Sequence, residues 1–227
     1  MAQNNPQKAS AEDQELIALF ADLDTPGVSD ALDKLGLHGQ VLGIQPLADY
    51  KGVVVGPAFT VRYVPAAVPP GIVGDFLDDV AEGDVVVIEN DGRTDCSVWG
   101  HITTQYSQLR GIAGTVIDGA CRDVGKAIEV GYPLFTAGRI MRTGKDRVQV
   151  ESVNSTIAVG AVRVTPRDIV VADANGVVIV PRARARDVAR IAHEIVQAEN
   201  GIRERIAQGD TIREARAALN YHSIKRG

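Results

Sequence analysis

The chain has 227 residues, 45% of them hydrophobic and 23% charged, with a formal net charge of −5. This is the balance of an ordinary globular protein, long enough for one large domain or two small ones, and its acidity argues against nucleic acid as a partner. No apolar run is long enough to cross a bilayer and no basic-then-apolar secretory start is visible, so no membrane partner and a cytoplasmic location are expected.

In chain order, residues 1–10 are polar and expected to fray. Residues 11–22 carry an amphipathic pattern with Leu16, Ile17, Leu19 and Phe20 on its apolar side, and Thr25-Pro26 stops it or starts the next element. Residues 29–35 predict a short helix ended by Gly36, and residues 46–50 a turn. Residues 52–64 are rich in β-branched side chains, with a bulge or bend expected at Gly56-Pro57. A loop at 68–71 and a helix over 72–80 follow. Residues 84–89 read as a buried strand and residues 90–93 as a polar loop. A helix then runs to about Arg110, with Val98, Ile102, Tyr106 and Leu109 on one face.

Residues 113–117 give another buried strand, which Asp118-Gly119 breaks. Arg122-Asp123 opens a helix over 124–130. Two successive strand–loop–helix units imply parallel strands. Residues 133–137, 148–150, 157–164, 169–172 and 177–180 are strand-like, and this strand-dominated half is compatible with a closed or barrel-like sheet. Pro181 precedes a long helix over 183–208, striped by Val188, Ile191, Ile195, Ile202 and Ile206 and ended by Gly209. A last short helix covers 211–219. The chain divides into an N-terminal tail and helix (1–22), a main domain (23–209) and a C-terminal extension (210–227).

Cys96 and Cys121 form no metal-binding spacing and read as buried small residues or site-lining thiols. His38, His101, His193 and His222 form no zinc pattern. The stretch with chemical content is GIAGTVIDGACRDV at 111–124. A strand end feeding a helix start is where α/β proteins bind small anions. Arg122 and Asp123 there offer an anion clamp and an oxygen ligand for a hard cation. The same two residues could equally be a surface ion pair and a helix cap.

The order and spacing of LDTPGVSDALDKLG at 23–36, GPAFTV at 56–61, GDVVVIENDG at 83–92, WGHITT at 99–104, GIAGTVIDGACRD at 111–123 and DIVVADANGVVIVPR at 168–182 resemble the RraA-like family. That family holds class II pyruvate aldolases acting on 4-hydroxy-4-methyl-2-oxoglutarate and 4-carboxy-4-hydroxy-2-oxoadipate, and regulators of ribonuclease activity. The resemblance implies an α/β fold, the swivelling β/β/α domain, here with a long C-terminal helix, and assembly as a homotrimer or hexamer.

The resemblance also implies a site. Backbone N–H groups of Gly100, His101, Ile102 and Thr103 would grip a substrate carboxylate. Arg122, 22 residues after Gly100, would hydrogen-bond the keto oxygen, and Asp123 would hold Mg²⁺ or Mn²⁺. A neighbour's C-terminal helix would add a glutamate, for which Glu199 is the candidate; its other reading is an exposed partner of Arg203. Asp118 could face the same pocket or serve only as a turn residue. One departure stands out: the family aldolases usually carry an acidic residue directly after the glycine, where this chain has His101. Imidazole can relay a proton near neutral pH but adds no negative charge beside a cation. The implied activity is cleavage or decarboxylation of a small 2-oxo acid through a pyruvate enolate. The alternatives are a protein-binding regulator of a ribonuclease and a lyase for another 2-oxo or sugar acid.

Overall fold

Residues 9–219 are described by a computed structural model. Alternation and β-branching make eleven strands: β1 (Gln40–Val41), β2 (Gln45–Pro46), β3 (Val54–Pro65), β4 (Val85–Trp99), β5 (Gly114–Cys121), β6 (Leu134–Arg139), β7 (Val148–Val153), β8 (Ile157–Val159), β9 (Val162–Val164), β10 (Ile169–Asp173) and β11 (Gly176–Val180). Six α-helices are interspersed: α1 (Ala11–Phe20), α2 (Thr25–Lys34), α3 (His101–Leu109), α4 (Val124–Val130), α5 (Ala185–Ala207) and α6 (Ile212–Ala218). Nine strands form one sheet in the order β1-β11-β10-β3-β4-β5-β6-β2, with β7 added to β3, and β8-β9 is a separate hairpin.

The centre of the sheet is parallel, β3 to β4 to β5 to β6, as the strand–helix alternation predicts. Parallel neighbours of this kind need crossover connections, usually helices that cover the sheet. Here α3 and α4 supply them beside a core that includes Val86, Ile88, Ile117, Trp99 and Tyr132. Away from the centre, β10, β11 and β1 are antiparallel, and α1, α2 and α5 bury Leu16, Phe20, Leu32, Val188 and Ile195 against that part. A third core, including Ile44, Val87, Val116, Phe135, Ile157 and Ile179, draws on strands from both ends of the sheet. The end strands β1 and β2 are adjacent in sequence, so the sheet curls toward itself.

Several boundaries differ from the sequence-based expectations. Gly56 marks no bulge; it is where β3 changes partner, from β10 at Val54–Pro57 to β4 at 58–62. A Cβ on Gly56 would stand 2.3 Å from the carbonyl oxygen of Gly83, so only glycine allows this approach. The true register shift in β3 lies at Arg62/Tyr63, opposite β7. Residues 72–80 form only a short 3₁₀ turn, Asp75–Asp79.

Asp118-Gly119 does not end β5, which continues to Cys121 because β6 keeps pairing there, Ala120 with Gly138 and Cys121 with Arg139. Residues 90–93 are not a break either. They belong to an excursion of β4, which runs from Glu89 opposite Asp118 to Trp99 opposite Cys121. Of the apolar face expected on α3, Val98 (on β4) and Tyr106 do pack on the core, but Ile102 and Leu109 are 72% and 79% exposed, and Thr104 and Ser107 are buried instead. The α5 stripe is mostly satisfied within the chain, with Ile206 left exposed.

A buried ion network ties α1 to the sheet. Arg167 donates to Asp13 and Asp84 at 2.6 Å each, and Arg182 donates to Asp13 at 2.7 Å. Asp13 also closes the capping box with Ser10.

Candidate functional site

Strand ends and helix starts build the site. β4 ends at Trp99, whose carbonyl accepts the Arg122 N–H at 2.9 Å just past the end of β5. This rung sets the start of α3 beside the start of α4. Gly100 occupies the cap position of α3, and a Cβ there would lie 2.8 Å from Asp123 Oδ2. The Gly100 backbone is extended and open to any residue, so the glycine is required by the carboxylate's closeness and not by strain. Asp123 occupies the cap position of α4 without a side-chain cap hydrogen bond, at φ 57° and ψ 34°, a left-handed conformation that Asp and Asn tolerate best after Gly.

The Asp123 carboxylate is the focus of the donors. His101 brings two nitrogens to Oδ2, its N–H at 3.1 Å and Nδ1 at 3.2 Å, and Arg122 Nε lies 3.6 Å from the same oxygen. The His101 N–H, then its ring and the Arg122 charge, outweigh partial burial and hold the Asp123 carboxyl below the usual carboxylate range. Every hydrogen bond to this carboxylate among the described residues ends on Oδ2, which leaves Oδ1 as the oxygen for a cation.

The first-turn donors of α3 are not all free. Gly100 N–H donates to Thr103 Oγ1 at 3.1 Å, and His101 N–H is taken by Asp123. Ile102 and Thr103 N–H remain, as the first turn of a helix leaves them without intrahelical acceptors. The carboxylate grip implied for four residues therefore rests on two. Trp99 Nε1 and Thr104 Oγ1 bond at 2.9 Å, and Thr104 Oγ1 donates to Gly100 O at 2.9 Å, fixing the turn from behind.

A cleft of about 260 Å³ opens onto Gly100, His101, Ile102, Thr103, Arg122 and Asp123, with Val73, Gly74, Thr143, Gly144 and Lys145 opposite. His101, Arg122 and Asp123 also face a second, wider cleft of about 810 Å³, lined further by Lys126, Glu129, Arg139, Ile140 and Met141. Nothing in the Gly100/Arg122 spacing points to these opposite walls. The signal in the sequence was the basic run GRIMRTGKDR at 138–147.

Two candidates fall elsewhere. Asp118 accepts the Gly160 N–H at 3.0 Å, on the side of the β8-β9 hairpin, and lines neither cleft. Its place follows from β5 continuing as a strand where a turn was expected. Glu199 sits on α5, 3.7 Å from Arg203, in a separate depression with Ile202 and Arg216. It could reach a site only from another copy. His222 lies outside the described residues.

Among the described residues no three His, Cys, Asp or Glu side chains gather as a metal-ligand set. A single carboxylate with one open oxygen suits a hard cation that keeps most of its water, the usual manner of Mg²⁺.

The parallel sheet flanked by helices, with the long helix at its C-terminal side, defines an α/β protein of the swivelling β/β/α class. The chain belongs to the RraA-like family, described as Aldolase/RraA, whose model matches residues 25–179. It is 35% identical over 210 residues to Protein DlpA of Legionella pneumophila, covering 91% of this chain but only 34% of that longer protein. It is 33% identical to a Halalkalibacterium halodurans protein provisionally named 4-hydroxy-4-methyl-2-oxoglutarate aldolase, covering 90% of this chain and 94% of that one. Among solved structures it superposes on an uncharacterized Pseudomonas syringae pv. tomato protein with a TM-score of 0.83 at 38% identity, over 92% and 98% of the two chains. RraAS2 of Streptomyces coelicolor, described as an unusual member of an RNase ES inhibitor family, gives 0.77 at 26% identity, over 86% and 96%. Among the described residues no helix is long and apolar enough to cross a membrane.

Proposed function

We propose that the chain is a divalent-metal-dependent lyase that cleaves or decarboxylates a small 2-oxo acid through a pyruvate enolate, of the 4-hydroxy-4-methyl-2-oxoglutarate aldolase and oxaloacetate decarboxylase type. The observation that carries this reading is the convergence of Arg122, the Asp123 carboxylate and the unpaired Ile102 and Thr103 N–H groups on one cleft. A pure binding surface has no need of a cation carboxylate beside an anion grip.

In this reading the Ile102 and Thr103 N–H groups hold the substrate carboxylate at the positive end of α3. Mg²⁺ or Mn²⁺, held through Asp123, would supply polarisation of the 2-oxo oxygen. Arg122 donates to that oxygen as charge builds on it, with fixed donors that stay charged throughout. In aldol cleavage the C4 hydroxyl gives up its proton, the C3–C4 bond breaks, and its electron pair flows to the 2-oxo oxygen. The leaving fragment departs as a carbonyl compound, and protonation at C3 yields pyruvate. His101, which lines both clefts, would take and return that proton. Glu199 contributes only across a subunit boundary, and we tie its role to a homotrimer or hexamer.

The alternative, a ribonuclease regulator without chemistry, draws its support from the likeness to RraAS2. A pyruvate-release screen over 2-oxo acids, with and without Mg²⁺, separates the two. Metal-dependent release supports the lyase, and no release from any member, with a ribonuclease inhibited instead, supports the regulator.

A further inference from the structure

The helix that offers the anion donors starts without its usual fastening. Gly100 heads α3 and has no side chain to accept a first-turn N–H. A larger residue is shut out, because a Cβ there would lie 2.8 Å from Asp123 Oδ2. The two donors left open, the Ile102 and Thr103 N–H groups, must therefore be aimed by something other than a cap.

The fastening lies behind the turn. Trp99 Nε1 donates to Thr104 Oγ1 at 2.9 Å, and the single hydrogen of that hydroxyl goes to Gly100 O at 2.9 Å. Gly100 O also takes the Thr104 N–H at 3.1 Å, the first bond of the helix. Threonine hydroxyls often bond back to the carbonyl four residues earlier. Here a buried indole occupies the acceptor side of the hydroxyl and fixes its rotation. Trp99 and Thr104 are each 2% exposed, so solvent does not compete for these bonds. The indole is itself held: it stacks on Tyr132 with planes 10° apart, and the Tyr132 hydroxyl shares a 2.9 Å hydrogen bond with Thr115 of β5.

Trp99 reaches the other half of the site as well. Its carbonyl accepts the Arg122 N–H at 2.9 Å. One residue thus holds the peptide that begins α3 through its indole and the arginine through its backbone.

We propose that Trp99 and Thr104 are positioning residues, which act through the Gly100 peptide to aim the Ile102 and Thr103 N–H groups at a substrate carboxylate and to keep that grip in register with Arg122. This rests on the lyase reading for the anion that is gripped. A misplacement of about 1 Å in such a group can cost about 10²-fold in rate, and a helix start without a capping side chain has little else to prevent one.

The test compares wild type with Thr104→Val, which removes the hydroxyl, Thr104→Ser, which keeps it, and Trp99→Phe, which removes the indole N–H and keeps a ring. Pyruvate binding is measured by calorimetry with Mg²⁺, turnover on 4-hydroxy-4-methyl-2-oxoglutarate, and folding by thermal melt. Thr104→Val should weaken pyruvate and raise KM about 10-fold or more, and lower kcat by about 10- to 100-fold, while folded at the assay temperature. Thr104→Ser should recover most of each loss. Trp99→Phe should move all three in the same direction, and the double variant should be little worse than Thr104→Val, because both changes cut one chain of bonds. Trp99→Phe carries the same comparison should Thr104→Val fail to fold. A lower melting temperature with pyruvate binding, KM and kcat unchanged would overturn the assignment, and so would losses that serine does not repair. If wild type binds pyruvate but releases none from any 2-oxo acid, the lyase reading fails alone and the binding comparison still decides Trp99 and Thr104. If wild type does not bind pyruvate, both fail.

Discussion

Replacing Asp123 by asparagine tests the site more cleanly than alanine would. At φ 57° and ψ 34°, alanine would add roughly 1–2 kcal/mol of backbone strain and confuse a folding defect with a chemical one. Asparagine accepts this conformation, and its amide oxygen can still take the His101 N–H. What it loses is the formal charge. The side chain is 34% exposed, so the lost pairing with Arg122 and His101 should shift stability by no more than about 1 kcal/mol. Turnover should fall much further, by about 10²–10³-fold or more, the usual cost of removing one preorganised electrostatic group.

The assay is pyruvate release at saturating Mg²⁺, with a thermal melt as the folding control. The pH dependence sharpens it. Because the donors around Asp123 depress its pKa, the carboxylate stays ionised through the ordinary carboxylate range. Its contribution to stability is present above the unfolded-state value and is lost only as pH falls through the lower folded value. Mn²⁺ affinity should therefore hold steady from pH 8 down to about 5. Turnover that survives both Asp123→Asn and EDTA would refute the reasoning.

Other outcomes follow from the same geometry. His101→Asn should lower turnover by about 10²–10⁴-fold if the ring relays the proton, with pyruvate binding little changed; superimposable pH–rate profiles for the two proteins would remove His101 from the chemistry. Gly100→Ala should push the Asp123 carboxylate aside, because the added Cβ would lie 2.8 Å from Oδ2, and abolish metal-dependent turnover with little change in melting temperature; an active alanine variant would contradict this. Asp13→Ala should destabilise the fold by about 1–3 kcal/mol, because Arg167 and Arg182 each lose one carboxylate while Asp84 and Glu12 still pair them. Burial raises the Asp13 pKa, but Ser10, Arg182 and Arg167 outweigh it and lower the pKa to about 2. The stability it confers should thus be complete above the unfolded value and fade as pH falls toward 2, a trend that acid melts of wild type and variant can check. Light scattering should give a trimer or hexamer, and a fully active monomer would argue against the shared site.

The parallel centre of the fold was legible because buried strands such as those at residues 85–88 and 113–117 are mostly apolar runs with clear turn residues at their ends. The long helix α5 was legible from its stripe. The Gly100/Arg122/Asp123 grouping was visible only through resemblance, since no local pattern says that two segments 22 residues apart share a rung. Asp118-Gly119 misled because local turn propensity was overridden by pairing on both sides of β5. The α3 face held for Val98 and Tyr106 but not for Ile102 and Leu109, because helical spacing finds a stripe but not its direction. Here Thr104 bonds to Trp99 and turns inward, and Ile102 and Leu109 are carried outward. Which first-turn donors remain free depended on side chains folding back onto them, which spacing does not encode.

The excursion of β4 has a bearing on how such chains can vary in length. Between the Glu89–Asp118 and Trp99–Cys121 rungs, β4 spends ten steps while β5 spends three. The extra residues are taken up in steps, with β4 touching β5 again at Arg93 opposite Gly119 and at Ser97 opposite Ala120. Insertions or deletions within residues 91–95 should therefore be absorbed there, leaving Gly100 and Arg122 in place, whereas a single added residue between Trp99 and Gly100 should disconnect them. The constant in this architecture is the carbonyl of Trp99 on the amide of Arg122, and that region of β4 is a natural port for a label or a grafted loop.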